Sequence, residues 1–238
     1  MTSEESYNST TQLQSLKEFT KQQTKPPLHT SRRQKRRALF AKRAIDIAAS
    51  LLGLAILSPF LALITVITTV ASRGSPIYRH KRVGLNGKEI YLYKFRSMRK
   101  DDRPLEDILT PEQLSEYQME YKIDNDPRVT KLGRFLRHTS VDELAQLLNI
   151  LKGDLSVIGP RPVTIMELAF YGDNADEFLS VKPGLTGYWQ AYGRNDALYS
   201  TGERQDMELY YIRNHSLAFD VKIFFKTIVS VIKRRGAK

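Results

Sequence analysis

Residues 44–72, AIDIAASLLGLAILSPFLALITVITTVAS, decide how this chain is built. Asp46 is the only charge in that stretch. A membrane span takes about 20 apolar residues, so the length permits crossing. Two features argue for a different path. Ser58-Pro59 sits near the middle, and a proline there removes a backbone hydrogen bond and bends a helix. Each half is then roughly 14 residues, short of the 17 or so that a span requires. Both flanks are also basic: Arg32, Arg33, Lys35, Arg36, Arg37, Lys42 and Arg43 before it, Arg73, Arg79, Lys81 and Arg82 after it. Lys and Arg next to a membrane segment stay cytoplasmic. Two cytoplasmic flanks favour a re-entrant helix-break-helix with its break at Ser58 and Pro59. A plain kinked transmembrane helix is the alternative, since many spanning helices contain proline.

Working outward, residues 1–43 are polar, hold Pro26-Pro27 and end in the basic run. Such a composition buries no core, and a disordered, surface-seeking arm over 1–41 is expected. The whole chain has 238 residues, a net charge of +11 and a mean hydropathy of −0.39. That hydropathy excludes a polytopic transporter. The absence of cysteine excludes disulfides, thiolate metal sites and a Cys nucleophile. Four histidines without HExxH spacing make a zinc enzyme a poor fit. The positive charge favours anionic partners: nucleic acid, lipid headgroups or phosphorylated substrates.

Beyond the apolar stretch, 77–82 and 89–95 read as strands, with Asn86-Gly87 as the turn between them. Thr110-Pro111-Glu112-Gln113 starts a helix. Residues 123–130 form a polar connection broken by Pro127. Ser140 to Leu151 reads as an apolar helix closed by Lys152-Gly153, and 156–158 as a short extended piece. Helices follow over 165–171 and 203–212, with a Gly- and aromatic-rich structured loop over 181–196 between them. After a Ser216 cap, Leu217, Val221, Phe224, Ile228 and Val231 form one helical stripe ringed by lysines and arginines. That stripe suits a helix lying in the membrane interface or one packed on a core, and both readings stay open. No alternating βαβ pattern is present, so a Rossmann domain is not supported.

Asp142 and Glu143 are adjacent at the start of the apolar helix. One reading is structural: Ser140-Val141-Asp142-Glu143 is a capping box, with Glu143 reaching back to Ser140. The other is chemical. A carboxylate at a helix N-terminus stays ionised and can act as a nucleophile, and its neighbour can hold Mg²⁺, a hard cation that prefers oxygen. Cations surround the pair in sequence: Lys94 and Arg96 before it, Arg128, Lys131, Arg134 and Arg137 leading in, and Arg161 after it. Phosphoryl transfer needs such groups, and Arg matches phosphate oxygens best. Arg161 stands between Pro160 and Pro162, a rigid setting for an ordinary surface charge. Trp189 would suit the core, a headgroup layer or a stacked base.

The ordered motifs resemble one family: the bacterial sugar transferases that initiate exopolysaccharide, capsule and glycoconjugate synthesis, also called monotopic phosphoglycosyl transferases. The resemblance runs from about residue 42 to 237. It rests on the Ser58-Pro59 break, KFRSM at 94–98, DPRVTKLGRFLRHTSVDELAQLLN at 126–149, LKGDLSVIGPRP at 151–162, KPGLTGYWQ at 182–190, GRN at 193–195 and DMELYY at 206–211. It implies an α+β, mainly α fold: a re-entrant membrane hairpin over 42–73 and a catalytic domain over 74–238 with a short β-hairpin and interfacial amphipathic helices. It implies a bacterial inner-membrane protein, monotopic on the cytoplasmic face among membrane lipids. Asp142 would attack the phosphorus nearest the sugar of a UDP-sugar and release UMP. Polyprenyl phosphate, such as undecaprenyl phosphate, would then take the phosphosugar. Asp142 and Glu143 are the catalytic dyad in this reading, with Mg²⁺ on Glu143 and Asp142. Arg137 and Arg161 match arginines that contact substrate phosphates, Lys94 and Arg96 lie in a matching motif, and Gln190 and Arg194 lie in a nucleotide-sugar loop. The sequence departs from the family pattern at Val141 (commonly Leu), Ala145 (commonly Pro) and His80 (commonly Gln). Longer members carry four further N-terminal spans that this sequence does not contain.

A basic, membrane-docked binding or scaffold protein without catalysis is the alternative. It accounts for the charge but not for an acidic pair inside the basic segment. No helix-turn-helix, RNP or zinc-knuckle pattern is present, so nucleic acid is not expected as a partner. The sugar, the glycan pathway and the oligomeric state, a homodimer included, stay open at this point.

Overall fold

A computed structural model describes residues 32–72, 74–99, 103–121, 123, 125–193 and 197–232. Residues 1–31 of the expected arm, and Arg194 of the expected nucleotide-sugar loop, lie outside the described residues. The described part is mainly helical. It has one long apolar helix, one antiparallel hairpin and one short parallel strand pair.

The apolar stretch forms a single helix, α1, Arg32–Ser72, with Pro59 inside it. Where two half-helices were expected, the helical element runs through Ser58-Pro59. Pro59 lacks the N–H that would bond the Ala55 carbonyl, and Ser58 Oγ donates to that carbonyl instead, at 2.9 Å. One face of α1 rests on the rest of the chain along its length. Asp46, Ser50, Leu54, Leu57, Leu61, Ile64 and Thr68 are its buried or packed positions, at a spacing of three and four. The opposite face leaves large apolar side chains outside, up to 77% exposure at Phe40.

Polar anchors fix the front half of α1. Lys42 Nζ donates to the Ile158 carbonyl at 2.9 Å and pairs with Asp220 at 2.5 Å. Arg43 donates to the carbonyls of Ile150 (2.5 Å) and Leu151 (2.8 Å). The buried Asp46 accepts from Ser156 Oγ at 3.0 Å and from the Val157 N–H at 2.9 Å. Past Pro59, Leu61 and Ile64 pack on Phe95, Leu136 and Ala145. Residues on both sides of the proline therefore touch the same unit.

The hairpin pairs β1, Ile77–Val83, with β2, Glu89–Phe95, in the register Ile77↔Phe95 to Val83↔Glu89. Asn86 (φ 54°) and Gly87 (φ 77°) take the left-handed turn expected of them. The pleat sends His80, Arg82, Leu92 and Lys94 to one face, and Ile77, Arg79, Tyr93 and Phe95 to the other. The buried Asn149 stands where a third strand would. Its Oδ1 accepts from the Tyr93 N–H at 2.9 Å and its Nδ2 donates to the Tyr91 carbonyl at 2.7 Å.

Helix α2, Pro111–Glu120, starts with the expected Thr110 capping box. Helix α3, Lys131–His138, was not foreseen. Thr130 caps it through the Gly133 N–H. Gly133 lies so close to β2's extension that a Cβ there would sit 1.8 Å from the Ser97 carbonyl oxygen. The expected 140–151 helix divides into a 3₁₀ segment, Val141–Gln146, and α4, Leu147–Lys152, which ends on Gly153 at φ 89° as expected. The Ser140 cap does not form: Ser140 takes φ 57°, makes no side-chain cap bond, and turns the chain from α3 into the 3₁₀ segment. Glu143's side chain goes to a distant cation instead.

Strand β3, Ser156–Ile158, runs parallel to β4, Gly184–Thr186. A Cβ at Gly184 would meet the Gly159 nitrogen at 2.1 Å, so the loop at 181–196 does contain the close backbone approach its glycines suggested. That loop continues into α7, Tyr188–Tyr192; α5, Ile165–Leu168, and α6, Ala175–Leu179, precede it. Helices α8, Glu203–Asn214, and α9, Leu217–Ile232, close the fold on a core of Tyr171, Phe178, Tyr188, Tyr211 and Ile223. Ser216 caps α9 through the Phe219 N–H at 3.2 Å. Ile223 and Ser230 turn inward while Val221, Phe224, Ile228 and Val231 stay exposed.

Candidate active site

The dyad is brought to the hairpin by the 3₁₀ segment. Lys94, last on the face that carries Leu92, donates from Nζ to Glu143 Oε1 at 2.7 Å. An Arg161 guanidinium nitrogen lies 3.7 Å from the same oxygen. Arg137 comes from α3, and its Nε donates to Ser97 Oγ at 2.9 Å. Lys94, Arg137 and Arg161, drawn from three parts of the chain, thus join the adjacent Glu143 around Asp142.

Asp142 itself is buried, 7% exposed. Burial pushes its carboxyl up to about 6, and the neighbouring Glu143 adds to the rise; Lys94, Arg137 and Arg161 oppose it. A helix N-terminus would keep Asp142 ionised. Its place in a six-residue 3₁₀ segment gives it burial and a like-charged neighbour instead, and the cations limit the rise. With a pKa near 6, the carboxylate outnumbers the acid about tenfold at pH 7. It is a desolvated anion poised among cations.

Arg161 is held from behind. Its backbone N–H donates to Glu208 Oε1 at 3.0 Å, and Glu208 is fully buried. The Arg161 guanidinium also lies 5.8 Å from the Trp189 ring, while Arg204 stacks on Trp189 at 4.1 Å and on Tyr199 at 3.8 Å. Trp189 therefore serves the inner wall, with its Nε1 donating to the Ala197 carbonyl at 3.0 Å. Glu167 pairs with Arg82 and accepts from the Thr164 N–H at 2.7 Å, fixing the chain just past Pro162.

His80 joins the site from β1. Burial, and then the charges of Arg82, Lys94 and Arg161, hold its imidazole down at about 3. It is neutral at physiological pH and carries no proton to donate as an imidazolium. Sequence reasoning marked His80 only as a departure from a family pattern. Ser97, Glu208, Arg82 and Glu167 carry no local mark of their roles, because the bonds Arg137–Ser97, Arg161–Glu208 and Arg82–Glu167 each join residues 40 or more apart.

Arg96 is placed differently from Lys94. Its Nε donates to the Ser75 carbonyl at 2.9 Å, and none of the described contacts joins it to the dyad. Gln190 has both side-chain polar atoms buried without a hydrogen-bond partner among the described residues, and no described contact joins it to the dyad either.

Among the described residues, no group of three or more His, Asp or Glu side chains could hold a metal. A protein-only cage is therefore not formed there. The pair Asp142 and Glu143 still fits Mg²⁺, which binds through one or two carboxylates and takes its other oxygens from water and substrate phosphates. Burial is the main cause of the rise at Asp142, and the repulsion from Glu143 that adds to it is what a divalent cation would relieve.

The family described as bacterial sugar transferase matches residues 37–234, from within α1 through the hairpin and the dyad. The undecaprenyl-phosphate galactose phosphotransferase of Salmonella typhimurium is 44% identical over 206 residues, covering 85% of this chain and 43% of its own. The UDP-glucose:undecaprenyl-phosphate glucose-1-phosphate transferase of Escherichia coli is 39% identical over 202 residues, covering 82% of this chain and 41% of its own. This chain thus spans less than half of either relative. The exopolysaccharide production protein ExoY of Rhizobium meliloti is 44% identical over 200 residues and is matched over 88% of its length. A match from within the apolar helix to residue 234, with the carboxylate pair and its cations assembled in space, leads to one assignment: the chain belongs to the bacterial sugar transferase family.

Proposed function

We propose that the protein transfers a sugar 1-phosphate from a UDP-sugar to a polyprenyl phosphate, such as undecaprenyl phosphate, at the cytoplasmic face of the bacterial inner membrane. The observation that carries this reading is the buried Asp142 beside Glu143, ringed by Lys94, Arg137 and Arg161. A desolvated carboxylate is a strong nucleophile, and a diphosphate is the electrophile such a ring of cations suits.

An Asp142 oxygen bonds to the phosphorus that carries the sugar. The bond from that phosphorus to the bridging oxygen breaks, and its electron pair leaves with UMP. An oxygen of polyprenyl phosphate then attacks the same phosphorus. The Asp142–phosphorus bond breaks, the carboxylate is restored and a lipid diphosphate sugar departs. Arg161 and Arg137 hold phosphate oxygens during both displacements, and Lys94 keeps Glu143 aligned. Glu143 and Asp142 would hold Mg²⁺, which supplies charge neutralisation at the phosphates.

The topology follows from α1. Its exposed face is apolar, and the residues on both sides of Pro59 rest on the same unit. A helix held that way dips into one leaflet and stays with its domain, a monotopic arrangement that the basic flanks support. The exposed stripe Val221, Phe224, Ile228 and Val231 of α9 adds a second apolar contact with that surface.

UMP release in detergent with Mg²⁺, polyprenyl phosphate and a panel of UDP-sugars tests the function. Galactose and glucose donors come first, since those sugars appear in the relatives' names. Turnover that is abolished by Asp142→Asn and lost in Glu143→Gln is the expected result. Tight UDP-sugar binding with no turnover on any donor would favour the scaffold reading.

A further inference from the structure

We propose that the hairpin carries a second ligand site on its other face, one that takes the anionic headgroup of a bilayer phospholipid. The pleat separates it from the dyad: His80, Arg82 and Lys94 point to one face, Ile77, Arg79 and Tyr93 to the other. On that second face lies a cavity of about 570 Å³ bounded by Ile77, Arg79, Tyr93, Leu148, Leu151 and Lys152. Among the described residues, no acidic side chain lines it.

The charges of the groove are arranged for an anion. Arg79 and Lys152 flank the Tyr93 ring, at 5.8 Å and 4.5 Å from its centroid, and Lys152 also donates to the Tyr93 hydroxyl. Neither cation has a carboxylate partner among the described ion pairs. Arg96, expected at the dyad, donates to the carbonyl of Ser75 at the groove's edge and brings a third positive charge there. The floor is apolar: Ile77, Leu151 and the half-exposed Leu148. Such a floor adds nothing to the binding of a free phosphate, but it suits the glycerol and first methylenes of a lipid.

The neighbour of the groove settles the source of the anion. Ile77, Tyr93 and Ala145, which line it, are also packed with Leu61 and Ile64 of α1. The groove therefore opens beside the apolar helix, where headgroups of the surrounding leaflet stand. A bound anionic lipid would fix the hairpin's height at the membrane surface while the opposite face works on substrate. This inference rests on the membrane placement of α1 and not on the transfer chemistry.

Native mass spectrometry of the delipidated full chain in detergent tests it, with phosphatidylglycerol, phosphatidylcholine and glycerol 1-phosphate as probes. The wild type should retain phosphatidylglycerol at least about tenfold better than phosphatidylcholine. The double variant Arg79→Gln/Lys152→Gln should bring the two lipids level, and Leu148→Asp should weaken phosphatidylglycerol too. Both variants should release UMP at the wild-type rate and keep the wild-type far-ultraviolet circular dichroism. Equal retention of the two lipids by the wild type, or unchanged phosphatidylglycerol retention in the double variant, would overturn the proposal. So would glycerol 1-phosphate binding as well as the lipid, competition by polyprenyl phosphate for the same position, or a folded double variant that no longer turns over.

Discussion

Replacing Asp142 with Asn should make the protein more stable while removing its chemistry. The carboxyl is lifted from 3.8 to about 6 in the folded state, first by burial and then by Glu143. A group whose folded pKa is raised binds its proton more tightly in the native state, so its ionised form is a cost to folding. About two units correspond to about 2–3 kcal/mol. The cost is fully present above pH 6, falls as pH drops and is gone near pH 4. Asn has the same shape and no charge to desolvate. At pH 7.5 the variant should therefore melt about 4–10 °C above the wild type. At pH 4.5 most of that gap should close. Thermal melts followed by Trp189 fluorescence in detergent with EDTA give the comparison. Added Mg²⁺ should narrow the gap at pH 7.5, because a cation on the dyad stabilises only the wild-type carboxylate. An Asn variant that melts at or below the wild type at pH 7.5, or a gap unchanged at pH 4.5, would refute the reasoning.

Substitutions at three further positions probe the site's supports. Arg161→Lys keeps the backbone bond to Glu208 but loses the planar fork, so kcat/KM in UMP release should fall about tenfold or more with little change in melting temperature. Gly133→Ala places a Cβ 1.8 Å from the Ser97 carbonyl oxygen, which pushes α3 away and separates Arg137 from Ser97; a loss of about 2–4 kcal/mol together with activity is expected in denaturant titration and assay. Glu208→Gln retains an acceptor for the Arg161 N–H and removes a buried charge whose carboxyl burial lifts to about 7, so it should keep activity, whereas Glu208→Ala should lose about 1–3 kcal/mol and most of kcat.

Local signals account for what the sequence revealed. Asn86-Gly87, Thr110 before Pro111, Gly153 and Ser216 each act within a few residues, and each sits where its chemistry predicted, whereas the apolar run is helical without the expected break. The cations Lys94, Arg137 and Arg161 were legible by type, and the fold gathers them. Helix α3 was missed because its charges drew the reading, although Thr130 and the Leu132–Leu136 spacing marked a capped helix. The Ser140–Glu143 capping box failed for a different reason. A neutral cap is worth about 1 kcal/mol, and a charge-assisted bond from Lys94 to the half-buried Glu143 is stronger. Lys94 is 49 residues away, so no local pattern could announce it. Long separations, 47 residues and 28 residues, likewise hid Arg161's support by Glu208 and the parallel pairing of β3 with β4.

The central claim is that the side chain at position 142 becomes covalently bonded to phosphorus. Intact-protein and peptide mass spectrometry of enzyme quenched with acid after incubation with a turned-over UDP-sugar, in the absence of polyprenyl phosphate, tests this most directly. A mass increase equal to one sugar phosphate, located on Asp142, absent in Asp142→Asn and chased off by added polyprenyl phosphate, is the predicted result. An unmodified Asp142 in enzyme that goes on to form lipid diphosphate sugar would contradict it.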